Sequence, residues 1–151
     1  LVMLPIFIGI IFTDFEFGLI PDEFILSLVS ISSVYLVFFQ NTAITNHLLS
    51  GIGILFGFLI IFVASAGRGM GFGDVKLSFA LGLFLGFPFI LISLYLAFLT
   101  GAMVAIILVL WGKKKLKGDT IPFGPFLAVS SIATYFFGNI ILAQVVKILG
   151  I

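Results

Sequence analysis

The sequence predicts an all-α, polytopic membrane protein with about six transmembrane helices. Hydrophobic residues make up 62% of the 151 residues and charged residues only 9%, whereas an ordinary soluble domain has about 25% charged residues. The apolar stretches show no period-two alternation of the kind found in membrane barrels. Since lipid offers no hydrogen-bond partners, each stretch must satisfy its backbone groups within a helix. We therefore expect residues 1–151 to form a single membrane-embedded domain.

Short polar or glycine-rich connections divide the chain into six apolar segments. The first lacks the basic residues that begin a signal peptide and would be about 20 Å long as a helix. Because the hydrocarbon core is about 30 Å thick, we expect a longer parent chain whose first part is missing here. The second segment opens after Pro21 and Asp22, and the fourth ends near Pro88. The predicted segments are residues 1–13, 23–39, 48–66, 75–87, 89–111 and 121–149.

The basic residues predict the orientation of the chain in the membrane. Six of the seven lie in the connections that follow the first, third and fifth segments, and Lys147 is the exception. The positive-inside rule makes that side of the membrane cytoplasmic. The six residues are Arg68, Lys76, Lys113, Lys114, Lys115 and Lys117.

Two acidic residues, Asp14 and Asp74, are predicted to lie at this same face although they are far apart in sequence. Each sits beside an apolar segment, where an ionisable group is expensive and becomes a functional candidate. Two carboxyl groups that share a proton can hydrolyse a peptide bond, one acting as base toward water and the other donating to the carbonyl. This chemistry requires the first and fourth segments to meet. The structural alternative is that Asp74 caps the N-terminus of the fourth segment, a position that Asp favours.

The other acidic residues and the single His are expected to have structural or solvated positions. Asp22 follows Pro21, which suits an N-terminal cap with Glu23 in the first turn, and a supporting role near the two acids is the alternative. Glu16 is expected in the headgroup region and His47 in a solvated loop on the opposite side.

With no Cys and one His, thiolate and multi-histidine metal sites are excluded, and we expect no metal or cofactor. A formal charge of +1 gives no basic surface for nucleic acid.

Glycines cluster in the connection before the second acid and in the two segments that flank it. Four glycines alternate within residues 67–73, which disfavours a helix and permits the close approach of an extended peptide. Gly53 and Gly57 in the third segment, and Gly82 and Gly86 in the fourth, are spaced as in closely packed helices. The simplest interpretation is helix packing with no chemistry of its own, and such close packing would hold the connection that carries Asp74 against its neighbours.

Three stretches resemble, in order, the signature patterns of the type IV prepilin peptidases. Residues 14–22 begin with Asp14 and end with Ile-Pro-Asp, which resembles the first pattern. Residues 71–77, Gly-Phe-Gly-Asp-Val-Lys-Leu, resemble the second, a Gly-x-Gly-Asp followed by a Lys and an apolar helix. Residues 121–127, Ile-Pro-Phe-Gly-Pro-Phe-Leu, resemble a third pattern that opens the last helix. The order and spacing agree over nearly the whole chain.

The resemblance implies an intramembrane aspartic endopeptidase with Asp14 and Asp74 as its catalytic dyad and with no cofactor. Its substrates would be prepilins and pilin-like pseudopilins, which carry a basic leader, a Gly at the cleavage point and an apolar helix. Cleavage would occur at the cytoplasmic face of a prokaryotic inner membrane, and the glycines of the second pattern would shape the Asp74 loop. The residues implied to support the site are Asp22, Gly71, Gly73 and Lys76.

The sequence departs from this family in its lack of cysteine. Many members carry an additional N-terminal cytoplasmic domain with paired Cys-x-x-Cys motifs, which accompanies N-methylation of the new N-terminus. This chain has no Cys, so either that domain lies upstream or the chain is a peptidase-only member, and no methyltransferase activity is assigned to it. The archaeal preflagellin peptidases share the two aspartate patterns, but the third pattern favours the bacterial type.

A non-enzymatic transporter or membrane subunit is the competing hypothesis. Asp14 and Asp74 would then form a proton or cation site, since paired acids and glycine-interrupted helices also occur in transporters. The predicted position of both acids at one interface, and the lack of a visible inverted repeat, favour the peptidase. The depth of the two acids discriminates between the hypotheses, because burial of both at the midplane would favour transport.

Overall fold

The computed structural model describes residues 2–111 and 122–149, and all of the regular structure in these ranges is helical. This finding confirms the predicted all-α class. The lysine run at 113–117, Asp119 and Ile121 lie outside the described residues. The helices are α1 (Leu4–Phe17), α2 (Asp22–Phe39), α3 (Ile44–Ala64), α4 (Phe72–Leu85), α5 (Phe89–Leu110) and α6 (Gly124–Leu149), with a 3₁₀ turn at Asn41–Ala43.

Four of the described helices, α2, α3, α5 and α6, are long and apolar enough to cross a membrane. The other two, α1 and α4, have 14 residues each, which gives each a length of about 21 Å. Each predicted apolar segment thus corresponds to a helix, but length separates four spanning helices from two shorter ones. Large apolar side chains cover the outside of the bundle, and Phe39 and Leu110 are 77% and 78% exposed. Such a surface is expected where a protein faces lipid.

The central helix of the described bundle is α4. It packs against α2, α3, α5 and α6, and most of its residues are buried, including Val75, Leu77 and Leu81. A helix that is apolar on every side is stable where neighbouring helices or lipid surround it. Asp74 lies in the first turn of this helix and is therefore placed in the interior of the protein.

The closest crossing of α3 and α4 is at Gly51 and Gly82. A Cβ atom at Gly82 would lie 2.5 Å from the Cα atom of Gly51 and 2.7 Å from its backbone nitrogen. The prediction that Gly53 and Gly57 make this contact is wrong, because a Cβ atom at either position would have no neighbour within 4 Å. Residues two apart in a helix lie about 200° apart around its axis, so the face that carries Gly53 points away from α4.

His47 lies in the first turn of α3, and the prediction that it is a solvated loop residue is wrong. Its half-buried ring has Nδ1 at 2.7 Å from the carbonyl oxygen of Leu83. The neighbouring Asn46 side chain hydrogen-bonds to both the N–H and the carbonyl oxygen of Phe87, at 2.9 and 3.0 Å. These polar residues bind the C-terminal end of α4, which explains why α3 begins earlier than the predicted segment.

Buried serines join α5 to α6. The Ser93 Oγ atom lies 3.2 Å from the Oγ atom of Ser130 and 3.0 Å from that of Ser131. Ser130 donates its O–H to the Leu127 carbonyl oxygen within α6, so its oxygen is available to Ser93 as an acceptor. Interhelical hydrogen bonds of this kind contribute modestly to the association of membrane helices. Since α6 also packs against α1 and α4, the N-terminal end of α6 comes to lie beside the C-terminal end of α1.

Candidate active site

Asp14 lies in the last turn of α1, and its side chain is only 5% exposed. The predicted first segment ended at residue 13, whereas α1 continues to Phe17 and carries Asp14 within the helix. The helix ends at Gly18, which adopts the left-handed conformation (φ 63°) and donates its N–H to the Asp14 carbonyl oxygen at 3.0 Å. The carboxylate Oδ2 of Asp14 accepts a second hydrogen bond, from the backbone N–H of Gly124 at 3.0 Å.

Asp74 is the third residue of α4 and is also 5% exposed. Its Oδ2 atom accepts a hydrogen bond from the Gly71 N–H at 3.1 Å, whereas Oδ1 is buried without a partner among the described residues. Asp74 is not the N-cap itself, because the helix begins at Phe72 and Gly71 takes that position, but its carboxylate does cap the helix from the third position by accepting the Gly71 N–H. A buried carboxylate oxygen without a partner is unusual in a folded protein, and it makes Asp74 a candidate functional residue.

Asp14 and Asp74 line the same cavity, of about 270 Å³, between the end of α1 and the start of α4. The structure thus brings together two acids that the sequence placed only at the same membrane face. The rest of the lining comes from the turn after α1, the loop before α4 and the first turns of α4. These residues are Gly18, Leu19, Ile20, Gly71, Phe72, Gly73 and Lys76.

Burial raises the pKa of both acids, which lie outside the four spanning helices. The pKa of Asp74 rises to about 7, first because burial penalises the charged form and second because Asp14 is negatively charged nearby. The hydrogen bond from Gly71 opposes this rise. Burial likewise raises the pKa of Asp14, and the hydrogen bond from Gly124 opposes it. Two carboxyl groups coupled in this way are suited to hold one proton between them.

The sequence alone did not predict the structural role of Ile20. Its side chain is buried between the loop before α4 and the start of α6. A Cβ atom at Gly73 would lie 3.2 Å from the Ile20 Cβ atom, and one at Gly124 would lie 2.9 Å from its Cδ1 atom. Ile20, which belongs to the first sequence pattern, therefore packs against Gly73 of the second pattern and Gly124 of the third. The only sequence signal for this role was its place in the Ile-Pro-Asp of the first pattern.

Asp22 and Lys76 form an ion pair beside the cavity. Asp22 is the first residue of α2 and Pro21 takes the N-cap position, so the prediction that Asp22 is the N-cap is wrong. Its carboxylate reaches across to α4 instead, where the Lys76 Nζ atom also lies 5.5 Å from the centre of the Phe72 ring. Because both side chains are partly exposed, such a pair contributes little to stability. It does connect the start of α2 to the first turns of α4.

Comparison with known proteins identifies the family. Residues 1–106 match the type IV leader peptidase family. The chain belongs to this family. It is 31% identical over 141 residues to the prepilin leader peptidase/N-methyltransferase of Legionella pneumophila, which covers 91% of this chain and 49% of the relative. Proteins of the same name are 32% identical over 130 residues in Burkholderia pseudomallei (strain 1026b; 83% and 42% covered) and 28% identical over 152 residues in Bacillus subtilis (strain 168; 97% and 58% covered).

This member of the leader peptidase family spans about half the length of the curated relatives it matches. The matched residues include Asp14 and Asp74, together with the loop that precedes α4. No solved structure matches the chain significantly. In the ranges that the structure describes, no group of three or more His, Cys, Asp or Glu side chains could hold a metal ion.

Proposed function

We propose that this chain is an intramembrane aspartic endopeptidase that removes the leader peptide of type IV prepilins and pseudopilins. One observation carries the proposal: Asp14 and Asp74, from different helices, are both buried and line one cavity. Each has one carboxylate oxygen held by a backbone N–H. Membership of the leader peptidase family, and the names of the relatives, support prepilin leaders as the substrate class.

The pair can hydrolyse a peptide bond when one carboxyl group is ionised and the other protonated. The ionised group takes a proton from water as the water oxygen bonds to the scissile carbonyl carbon, and the protonated group gives its proton to the carbonyl oxygen. The first group then passes its new proton to the amide nitrogen, and the C–N bond breaks. The diol formed by addition of water becomes the new carboxyl group of the leader as this bond breaks. One of its hydroxyl groups returns a proton to the carboxyl group that had protonated the carbonyl oxygen. The products are the leader, ending in Gly, and a new amino terminus.

The walls of the cavity suit an extended peptide that continues into a membrane helix. Gly71 and Gly73 present backbone without side chains, which permits another backbone to approach the acids. Leu19 and Phe72 line the same cavity and are 70% and 51% exposed. These apolar side chains offer a contact for the apolar helix that follows the cleavage point.

Family membership favours the peptidase over the transporter hypothesis. Asp14 lies in the last turn of α1 and Asp74 in the first turn of α4. Helix ends of this kind occur in transporter sites as well as in peptidases, so the family and not the helix position distinguishes the two. The peptidase hypothesis explains the same two acids and agrees with the family.

We propose that the cavity faces the cytoplasm of a bacterial inner membrane. Arg68 lies in the connection between α3 and α4, at the end of the bundle that holds the acids, and Lys76 lines the cavity itself. The positive-inside rule assigns such an end to the cytoplasm. A newly made prepilin would present its basic leader on this side.

Single cysteines can test this orientation, because the chain has no Cys of its own. Glu16 is exposed near the acids, and Thr42 is exposed at the opposite end of the bundle. In spheroplasts, we expect a membrane-impermeant maleimide to label Thr42→Cys and to label Glu16→Cys only after the membrane is opened. The reverse pattern would place the acids outside the cell.

The cleavage rate is expected to fall as the pH rises through about 7. Because the pKa of Asp74 is raised to about 7, the pair loses its shared proton above that pH, and no acid remains to protonate the carbonyl oxygen. The pH dependence of kcat/KM for a model prepilin checks this expectation, because that ratio reports the pKa values of the free enzyme. A rate still rising at about pH 9 would contradict it.

The experiment that tests the proposed function uses the purified chain in liposomes with a model prepilin. We expect mass spectrometry to find a single cut after the leader Gly, and no cut when that Gly is replaced by Leu in the substrate. Cleavage at other positions would refute the leader specificity. If the folded chain cuts neither substrate, the proposed function is wrong for this chain.

A further inference from the structure

We propose that Gly124 is a positioning residue that orients the Asp14 carboxylate for peptide hydrolysis. This inference deepens the peptidase function proposed above and rests on it. Gly124 is the first residue of α6 and is far from Asp14 in sequence, yet its N–H donates to Asp14 Oδ2 at 3.0 Å. With Oδ2 held by this donor, Oδ1 is the oxygen left to exchange a proton with water or with the second acid.

In the first turn of α6, the backbone N–H groups other than that of Gly124 are either hydrogen-bonded within the turn or absent. The N–H groups of Phe126 and Leu127 donate to the carbonyl oxygen of Phe123 at 3.0 and 3.2 Å, and Pro125 has no N–H. Gly124 therefore carries an N–H that has no acceptor within its own helix, and Asp14 accepts it. The positive end of the helix dipole at this point also favours the ionised form of the carboxylate.

Position 124 has no room for a side chain. A Cβ atom there would lie 2.6 Å from the Oδ2 atom of Asp14 and 2.9 Å from the Cδ1 atom of Ile20. Both neighbours are buried, so neither can turn into open space without disturbing the cavity. A side chain at position 124 would therefore displace the Asp14 carboxylate or the end of the Ile20 side chain.

The two acids differ in how they are oriented. Asp74 receives its hydrogen bond from Gly71, three residues earlier in the same loop. Asp14 receives its hydrogen bond from a different helix, so its orientation depends on how α6 docks. Ser93 of α5 contacts Ser130 and Ser131 of α6, and this contact contributes to the docking.

The sharpest test replaces Gly124 with glycolic acid by nonsense suppression, which turns the amide into an ester. The change removes the N–H and also weakens the Phe123 carbonyl oxygen as the acceptor for the Phe126 and Leu127 N–H groups. We expect kcat for a model prepilin to fall by about tenfold to a hundredfold, as for loss of a hydrogen bond to a charged group, with little change in KM. The acidic limb of the pH–rate profile is expected to move to higher pH, because the N–H lowers the pKa of Asp14. A residue with only a structural role would not move that limb.

Two alanine variants complete the test. Gly124→Ala keeps the N–H but adds the clashing Cβ atom, and we expect it to lose at least about tenfold in kcat through displacement of Asp14. Gly53→Ala is the matched control, because a Cβ atom there meets no atom within 4 Å. Its kcat and pH–rate profile are expected to equal those of the wild type.

The outcomes separate this inference from the proposed function. If the wild-type chain cleaves the prepilin and the ester variant has the same kcat and the same acidic limb, Gly124 is not a positioning residue and the peptidase function stands. If the wild-type chain does not cleave, the peptidase function fails. ¹³C NMR titration of the Asp14 carboxyl group then decides the contact itself: a higher pKa in the ester variant supports it, and an unchanged pKa overturns it.

Discussion

Replacement of Asp74 or Asp14 by Asn is expected to lower prepilin cleavage by about a thousandfold or more, within the range that a positioned acid or base contributes. Asn keeps the size of the side chain and one acceptor oxygen, so the hydrogen bonds from Gly71 and Gly124 can persist. The variant loses the ability to hold and release a proton, which the proposed chemistry requires. The assay compares initial cleavage rates of the purified variants in liposomes, with the unfolding temperature as the measure of folding.

Two other acids serve as controls for this prediction. Glu16 is exposed, lies close to Asp14 in sequence and does not line the cavity, so Glu16→Gln is expected to cleave at the wild-type rate. Asp22→Asn breaks the ion pair with Lys76 and is expected to retain activity within about fivefold, since partly exposed pairs are weak. If Asp22→Asn were as inactive as Asp74→Asn, Asp22 would have to take part in the chemistry. Near-full activity of either dyad variant would refute the dyad.

The second large effect is expected at the crossing of α3 and α4. Gly82→Val should destabilise the protein by about 2–3 kcal/mol, the usual cost of overpacking a close contact. The added Cβ atom would lie 2.5 Å from the Cα atom of Gly51, and backbone cannot move aside as a flexible side chain can. Because α4 carries Asp74, separation of these helices should also lower cleavage. Thermal unfolding in detergent micelles measures the change in stability.

Gly57→Val is the matched control for this prediction. It places the same side chain on α3, at a position where a Cβ atom has no neighbour within 4 Å. Both variants change helix propensity in the same way, so a difference in unfolding temperature reports the contact. Equal unfolding temperatures for Gly82→Val and Gly57→Val would show that the crossing is looser than described.

The shared location of Asp14 and Asp74 at one end of the bundle could be predicted from the sequence. Composition alone indicated membrane helices, and consecutive membrane helices alternate in direction. Acids that follow the first segment and precede the fourth must then lie at the same end. The sequence gives no distance between them, because that distance depends on which helix faces meet.

The contacts around the acids come from residues distant in sequence, and they could not be predicted. Gly124 reaches Asp14 from α6, and Ile20 fills the space beside both. The glycine spacing rule indicated close packing but not the face used, so Gly53 was favoured where Gly51 makes the contact. His47 lies in a polar stretch of sequence that is typical of a loop. Its contact with the carbonyl oxygen of Leu83 on α4 explains its place in a helix.

The central claim is that Asp14 and Asp74 act as one catalytic unit, and a double-mutant cycle tests it most directly. Cleavage rates of a model prepilin are measured for the wild type, Asp14→Asn, Asp74→Asn and the double variant, all reconstituted in the same liposomes. Residues that act as a unit have strongly non-additive effects, so the double variant is predicted to be no slower than either single variant. Substantial activity in a single variant, or losses that multiply in the double variant, would contradict the account.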